Sequence, residues 1–148
     1  MDGYDKAILN MIQAGFPLAT HPFRVIGEQV GLGEDEVLER MQHMKNTGLI
    51  RRIGAVFDPR KLGFASTLCC ARVPNERLGD FVNTVNAFPG VTHNYRRHHT
   101  YNVWFTLIAP TEVALEKTLK EIIDKTGIAD ILDMKSVKTY KINALFEV

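Results

Sequence analysis

The chain has little cysteine: two residues, adjacent, Cys69 and Cys70, inside an apolar run. Neighbouring cysteines rarely bridge each other and lack the paired spacing of a thiolate zinc site. A disulfide scaffold is excluded and a reducing compartment is expected. No apolar run approaches the roughly 18 residues that a membrane helix needs. Met1-Asp2-Gly3-Tyr4-Asp5 carries acids where a secretory leader carries bases, so a cytoplasmic protein with no membrane partner is expected. A Gly-rich phosphate loop, a nucleophile elbow and a His-Glu-x-x-His zinc helix are all missing. Net charge is nearly absent as well, with 18 Lys and Arg against 17 Asp and Glu. Such a balance does not by itself advertise nucleic acid.

What is there is ordinary globular material: 148 residues, 45% hydrophobic and 24% charged, which rules out disorder and fibrous repeats. The pattern divides the chain into residues 1–60 and 61–148. In the first part, Asp2 can cap a helix with Ala7, Ile8, Met11 and Ile12 on one face. Thr20 is placed to cap a second helix that begins at Pro22 and turns Phe23, Ile26 and Val30 inward. Gly31-Leu32-Gly33 is a turn, and Glu34, Asp35 and Glu36 sit where a helix dipole favours acids. Val37, Leu38, Met41 and Met44 form that third helix's stripe, and Gly48 ends it. Residues 49–57 then read as a small two-stranded wing, giving a winged helix-turn-helix. A DNA-reading helix offers bases and amides to phosphates at its start. This one offers three acids, so specific DNA binding is not expected.

The second part alternates strand and helix. Residues 65–73, 91–97, 101–109 and 131–140 read as strands. Helices carrying Leu78, Phe81, Val82 and Val85, and then Val113, Leu115, Leu119, Ile122 and Ile123, lie between them. The order βαββαβ is ferredoxin-like, so the fold class is α+β. Such a sheet leaves one face uncovered, and a dimer is expected.

Chemistry concentrates between Val91 and Phe105. This stretch holds three of the five histidines, and no Asp or Glu occurs from Phe81 to Thr111. In an extended strand His93, Tyr95 and Arg97 share one face, while Asn94 and Arg96 take the other. By the same parity His98 points away, and Tyr101 or Asn102 returns to the region after the turn. Imidazole, phenol and guanidinium without a carboxylate suit an anionic ligand. Arg51 and Arg52 on the wing form a second basic pair. His21 and His43 are isolated and read as structural or exposed.

A helix-turn-helix followed by βαββαβ resembles the Lrp/AsnC regulators over essentially the whole chain. Phe16-Pro17-Leu18, Ile50-Arg51-Arg52-Ile53-Gly54-Ala55-Val56-Phe57 and above all Gly90-Val91-Thr92-His93-Asn94-Tyr95 are more specific. With Arg97, His99, Tyr101-Asn102 and Trp104-Phe105 they resemble the siroheme decarboxylase family, and the His-Asn-Tyr form resembles its A-type, NirD-like subunit. The resemblance implies a carboxy-lyase that removes two acetate carboxyls of siroheme as CO2, giving 12,18-didecarboxysiroheme for haem or haem d1 synthesis. It implies a heterodimer with a paralogous B-type subunit, and no cofactor beyond the substrate's own iron. A regulator sensing a small effector or haem is the alternative.

Siroheme is a flat polyanion, so it needs an aromatic-lined cavity and cationic donors. Loss of CO2 leaves charge on the former acetate carbon, which a general acid must protonate. His93, Tyr95, His99 and Tyr101 are the proton-bearing candidates. Arg51, Arg52, Arg96 and Arg97 would hold carboxylates, and Trp104 would offer a flat contact. His99 at the turn is the candidate axial ligand to the siroheme iron.

Overall fold

The computed structural model describes residues 1–142 and 145–148, which form two compact units. One is Met1–Ala55 with Lys141–Val148, and the other is Val56–Tyr140. The final segment, grouped by sequence with the second domain, thus packs on the first unit. No described helix is long and apolar enough to cross a membrane.

The first unit holds α1 (Gly3–Ala14), α2 (Pro22–Val30) and α3 (Glu34–Asn46). Asp2 caps α1 in a reciprocal box: its carboxylate accepts from the Asp5 N–H while the Asp5 side chain accepts from the Asp2 N–H. This satisfies two donors that a helix start otherwise leaves orphaned. Ile8, Ile26, Val37, Met41 and Met44 are buried together, each from an apolar stripe of its helix. Arg40 ties α3 to α1, reaching Asp2 at 2.8 Å, Asp5 at 2.9 Å and Glu36 at 2.9 Å. Two expectations fail here. Thr20 does not cap α2; His21 is the N-cap residue and makes no side-chain cap bond. Among the described residues no strand forms between α3 and Ala65, so the wing is irregular backbone and not a strand pair. Residues 49–57 have no neighbouring strand to complete a ladder, and an isolated two-stranded ribbon is marginal in water.

A second anchor lies at the chain's other end. Gln13 Nε2 donates to the Phe146 carbonyl at 2.8 Å and Gln13 Oε1 accepts from the Phe146 N–H at 2.8 Å. Asn10 grips Val148 in the same two-bond manner at 3.2 Å.

The second unit carries β1 (Ala65–Ala71), α4 (Leu78–Asn86), β2 (Val91–Arg96), β3 (Val103–Ala109), α5 (Glu112–Thr126) and β4 (Ile131–Lys135). The strands lie in the order β2-β3-β1-β4, all antiparallel, as the split βαβ pair requires. Alternation is clean along β3: Val103, Phe105, Leu107 and Ala109 are buried, and Trp104, Thr106 and Ile108 are half-buried. The buried set meets Phe81, Val85, Leu115 and Ile122 from the helices, with Phe81 and Phe105 edge to face at 6.3 Å. Val113, expected on the inner stripe, is exposed. β4 stops at Lys135 and not at Tyr140. Burial pushes the Cys69 thiol up to about 12, so it behaves as a small core hydrophobe.

The sheet face away from the helices carries Leu68, His93, Tyr95, Trp104 and Thr106, and among the described residues of this unit no helix covers it.

Candidate functional site

A bulge decides which side chains reach that open face. Val91 pairs with Leu107 and packs into the helix-side core. Strict alternation would send His93 and Tyr95 inward with it. Between Val91 and His93 the register shifts: Thr92 is the extra residue, and His93 stands opposite Thr106 and Tyr95 opposite Trp104. The bulge thereby re-aims both side chains onto the open face. Just before the bulge the Gly90 carbonyl accepts from Ile108 N–H at 2.8 Å, and the two backbones approach so closely that a Cβ on Gly90 would lie 2.3 Å from the Ile108 oxygen.

On this face a cavity of about 630 Å³ is lined by Leu68, His93, Tyr95, Arg97, His98, His99, Trp104 and Thr106. That volume falls in the range of small-molecule sites, roughly 300 to 1,000 Å³. The lining brings together one guanidinium, three imidazoles and a phenol, and contains no Asp or Glu. Among the described residues neither Arg97 nor these histidines pairs with a carboxylate. The Arg97 guanidinium lies 5.6 Å over the Tyr95 ring, and His93 stacks on the same ring at 6.1 Å. The result is an electropositive, flat-walled site.

The two outer histidines are held differently. His93 Nδ1 lies 3.0 Å from Thr92 Oγ1 and 3.4 Å from Thr106 Oγ1, hydroxyls that can accept its proton and leave Nε2 with a free lone pair. His99 Nδ1 instead accepts the Tyr101 backbone N–H at 3.1 Å.

Of the residues singled out by sequence, His93, Tyr95, Arg97, His99 and Trp104 line the cavity. Tyr101 stands behind it. Its ring stacks on His99 at 6.3 Å and its hydroxyl donates to Asp130 Oδ1 at 2.9 Å, a bond that raises the phenol's pKa. Arg96 does not line the cavity; its neighbour Asn94 donates to Asn86 on α4. Arg51 and Arg52 border a different cavity, in the first unit, with Leu9, Ile12 and Phe146. Sequence reasoning missed His98, Leu68 and Thr106. His98 lies beyond the last strand residue, Arg96, so strand parity does not govern it. Leu68 and Thr106 were readable from the alternation of β1 and β3.

The fold and site of the chain define an AsnC-like ligand-binding domain, whose family profile matches residues 61–141. The profile of the siroheme decarboxylase NirDL-like HTH domain matches residues 5–51. The chain is 50% identical to the siroheme decarboxylase alpha subunit of Oleidesulfovibrio alaskensis over 99% of this chain and 89% of that one. It is 47% identical to the alpha subunit of Desulfovibrio desulfuricans, covering 99% of this chain and 84% of the relative. The crystal structure of the siroheme decarboxylase NirDL with an iron-uroporphyrin III analogue superposes with a TM-score of 0.75 at 36% identity. That match covers 95% of this chain but 47% of the NirDL chain, so this chain spans about half of that protein's length. The chain belongs to the siroheme decarboxylase family.

Proposed function

We propose that this chain is the A-type, NirD-like subunit of a cytoplasmic siroheme decarboxylase, a carboxy-lyase that removes two acetate carboxyls of siroheme as CO2. The observation that carries the reading is the carboxylate-free cavity on the open sheet face, walled by Tyr95 and Trp104 and charged by Arg97. A flat polyanion fits such a surface, and the iron-uroporphyrin analogue bound by NirDL is of that class.

In the reaction the bond between the acetate methylene and its carboxyl breaks. CO2 leaves, and the electron pair stays on the former acetate carbon, delocalised into the macrocycle. That carbon then takes a proton from a general acid. His93 and Tyr95 are the proton-bearing groups that the bulge turns onto the cavity. Arg97 holds a carboxylate that stays, because tight ground-state binding of the scissile one would oppose its loss. As the alternative to that acid role, a neutral His93 with Nδ1–H on Thr92 Oγ1 would offer its Nε2 lone pair to the iron.

A paralogous B-type subunit covers the open face in this reading. Leu68, Leu132 and Tyr95 are exposed there, an apolar surface for a partner to cover. The NirDL chain, about twice as long as the match, has room for both halves.

The test mixes the pure chain, with and without its paralogue, with siroheme, following absorbance and product mass. A product lighter by two molecules of CO2 is expected. Absence of siroheme binding in both mixtures would overturn the reading.

A further inference from the structure

The segment between β2 and β3 is held by bonds that the reaction above does not use. Asn102 clasps Val73 with both ends of its amide: Nδ2 donates to the Val73 carbonyl at 2.8 Å and Oδ1 accepts from the Val73 N–H at 3.0 Å. Arg97 N–H donates to the Asn102 carbonyl at 2.8 Å, closing the loop at its base. At the crown, the Tyr101 phenol reaches Asp130, a residue 29 positions away that precedes β4. Trp104 Nε1 donates to the Tyr101 carbonyl at 2.8 Å. Tyr101 is therefore fixed at its hydroxyl and at its carbonyl.

Fixing Tyr101 fixes its N–H, and that N–H is spent on His99 Nδ1. A nitrogen that accepts a backbone N–H carries no proton, so the neutral ring holds its proton on Nε2. Three roles can then be sorted. An iron ligand binds through a lone pair while its other nitrogen donates outward. Here the other nitrogen faces a donor, so His99 is a poor axial ligand. A general acid starts as imidazolium, which would set two N–H groups against each other. A hydrogen-bond donor to a carboxylate needs only an Nε2–H facing it, and this is the tautomer that the Tyr101 N–H selects.

Resting on the siroheme reading, we propose that His99 is a fixed hydrogen-bond donor to a substrate carboxylate, and that Asp130, acting through the Tyr101 phenol, is the positioning residue that fixes it. The arrangement puts an acid behind the site without placing its charge among the cavity's lining.

The test has two arms. Side-chain nitrogen NMR of the ligand-free chain reads the His99 tautomer directly. The wild type is expected to show Nε2–H. Tyr101→Phe, which keeps the ring but loses the hydroxyl, is expected to give mixed tautomers, as is Asp130→Ala. Asp130→Asn, whose amide oxygen still accepts, is expected to restore the wild-type signal. Siroheme titration is the second arm. Tyr101→Phe and Asp130→Ala are expected to weaken binding about tenfold, the scale of one hydrogen bond to a charged group, with Asp130→Asn near wild type. His99→Ala is expected to weaken binding without moving the Soret band. An Nδ1–H tautomer in the wild type, or a Soret shift in His99→Ala, overturns the assignment of His99. Unchanged tautomer and affinity in both Tyr101→Phe and Asp130→Ala overturn the positioning role. A wild-type chain that shows the Nε2–H tautomer but binds no siroheme, with or without its paralogue, refutes the substrate reading instead.

Discussion

Gly90→Ala tests the close backbone approach that leads into the bulge and the cavity-lining face. The new Cβ would stand 2.3 Å from the Ile108 carbonyl oxygen and 3.3 Å from Leu107 Cδ1. The first neighbour is backbone of the central strand β3, so it cannot swing aside as a side chain would. The start of β2 has to retreat, and the Ile108 N–H to Gly90 carbonyl bond of 2.8 Å goes with it. Overpacking costs about 1 to 3 kcal/mol, and a lost hydrogen bond adds about 0.5 to 1.5 kcal/mol. A total of about 1.5 to 4.5 kcal/mol lowers the melting point of a unit this size by roughly 6 to 36 °C, at about 4 to 8 °C per kcal/mol. Calorimetry should therefore show the second unit melting early, and hydrogen exchange should show the β2–β3 amides losing protection first. The His93 contacts to Thr92 and Thr106 depend on the same register, so siroheme affinity should fall in parallel. A melting point within about 3 °C of wild type, with β2–β3 protection intact, would refute the reasoning.

Three further outcomes are expected. Arg97→Ala should weaken siroheme binding by about 1.5 to 3 kcal/mol, the range for hydrogen bonds to charged groups, while costing the fold no more than the roughly 0.5 to 1 kcal/mol of an exposed cation–π contact with Tyr95; titration and calorimetry on one sample separate the two. The first unit should lose stability in acid. The Asp5 N–H first, and Arg40 second, hold the Asp2 carboxyl below its ordinary value; the Asp2 N–H and Arg40 do the same for Asp5 against partial desolvation. Folded values below unfolded ones mean that the stabilisation is complete above the usual carboxylate range and drains away as pH falls through the lowered values. Helicity followed against pH should show this, and Arg40→Gln should flatten the slope. No sequence-selective duplex complex should form at physiological salt: α3 opens with Glu34, Asp35 and Glu36, and its Arg40 is occupied by three carboxylates. A submicromolar, sequence-selective complex with the chain's own promoter would promote the regulator reading.

Much of the fold was legible because local chemistry and global packing agree. Asp2 caps α1 by the box its sequence spells, and the βαββαβ order follows from two amphipathic helices set among four apolar runs. The departures are places where a partner distant in sequence decides. A wing needs a second strand that residues 49–57 do not find. Tyr101 meets a carboxylate from beyond the acid-free window, which no local reading of that window could supply.

The site itself shows the limit most sharply. Period-two reasoning put His93, Tyr95 and Arg97 on one face, and the structure lines one cavity with them. Yet parity counted from Val91, a core residue, would have buried all three. The set reaches the open face only because the bulge adds one residue between Val91 and His93. Alternation fixes which side chains travel together; it does not fix which face they take, since a single inserted residue inverts the set. His98 fails for the complementary reason. Past Arg96 the backbone leaves the strand, and its direction is set by Asn102 on Val73 and Tyr101 on Asp130. Two bonds across the unit therefore decide which of two adjacent histidines has its Nδ1 held by a backbone N–H, a distinction that spacing alone cannot carry.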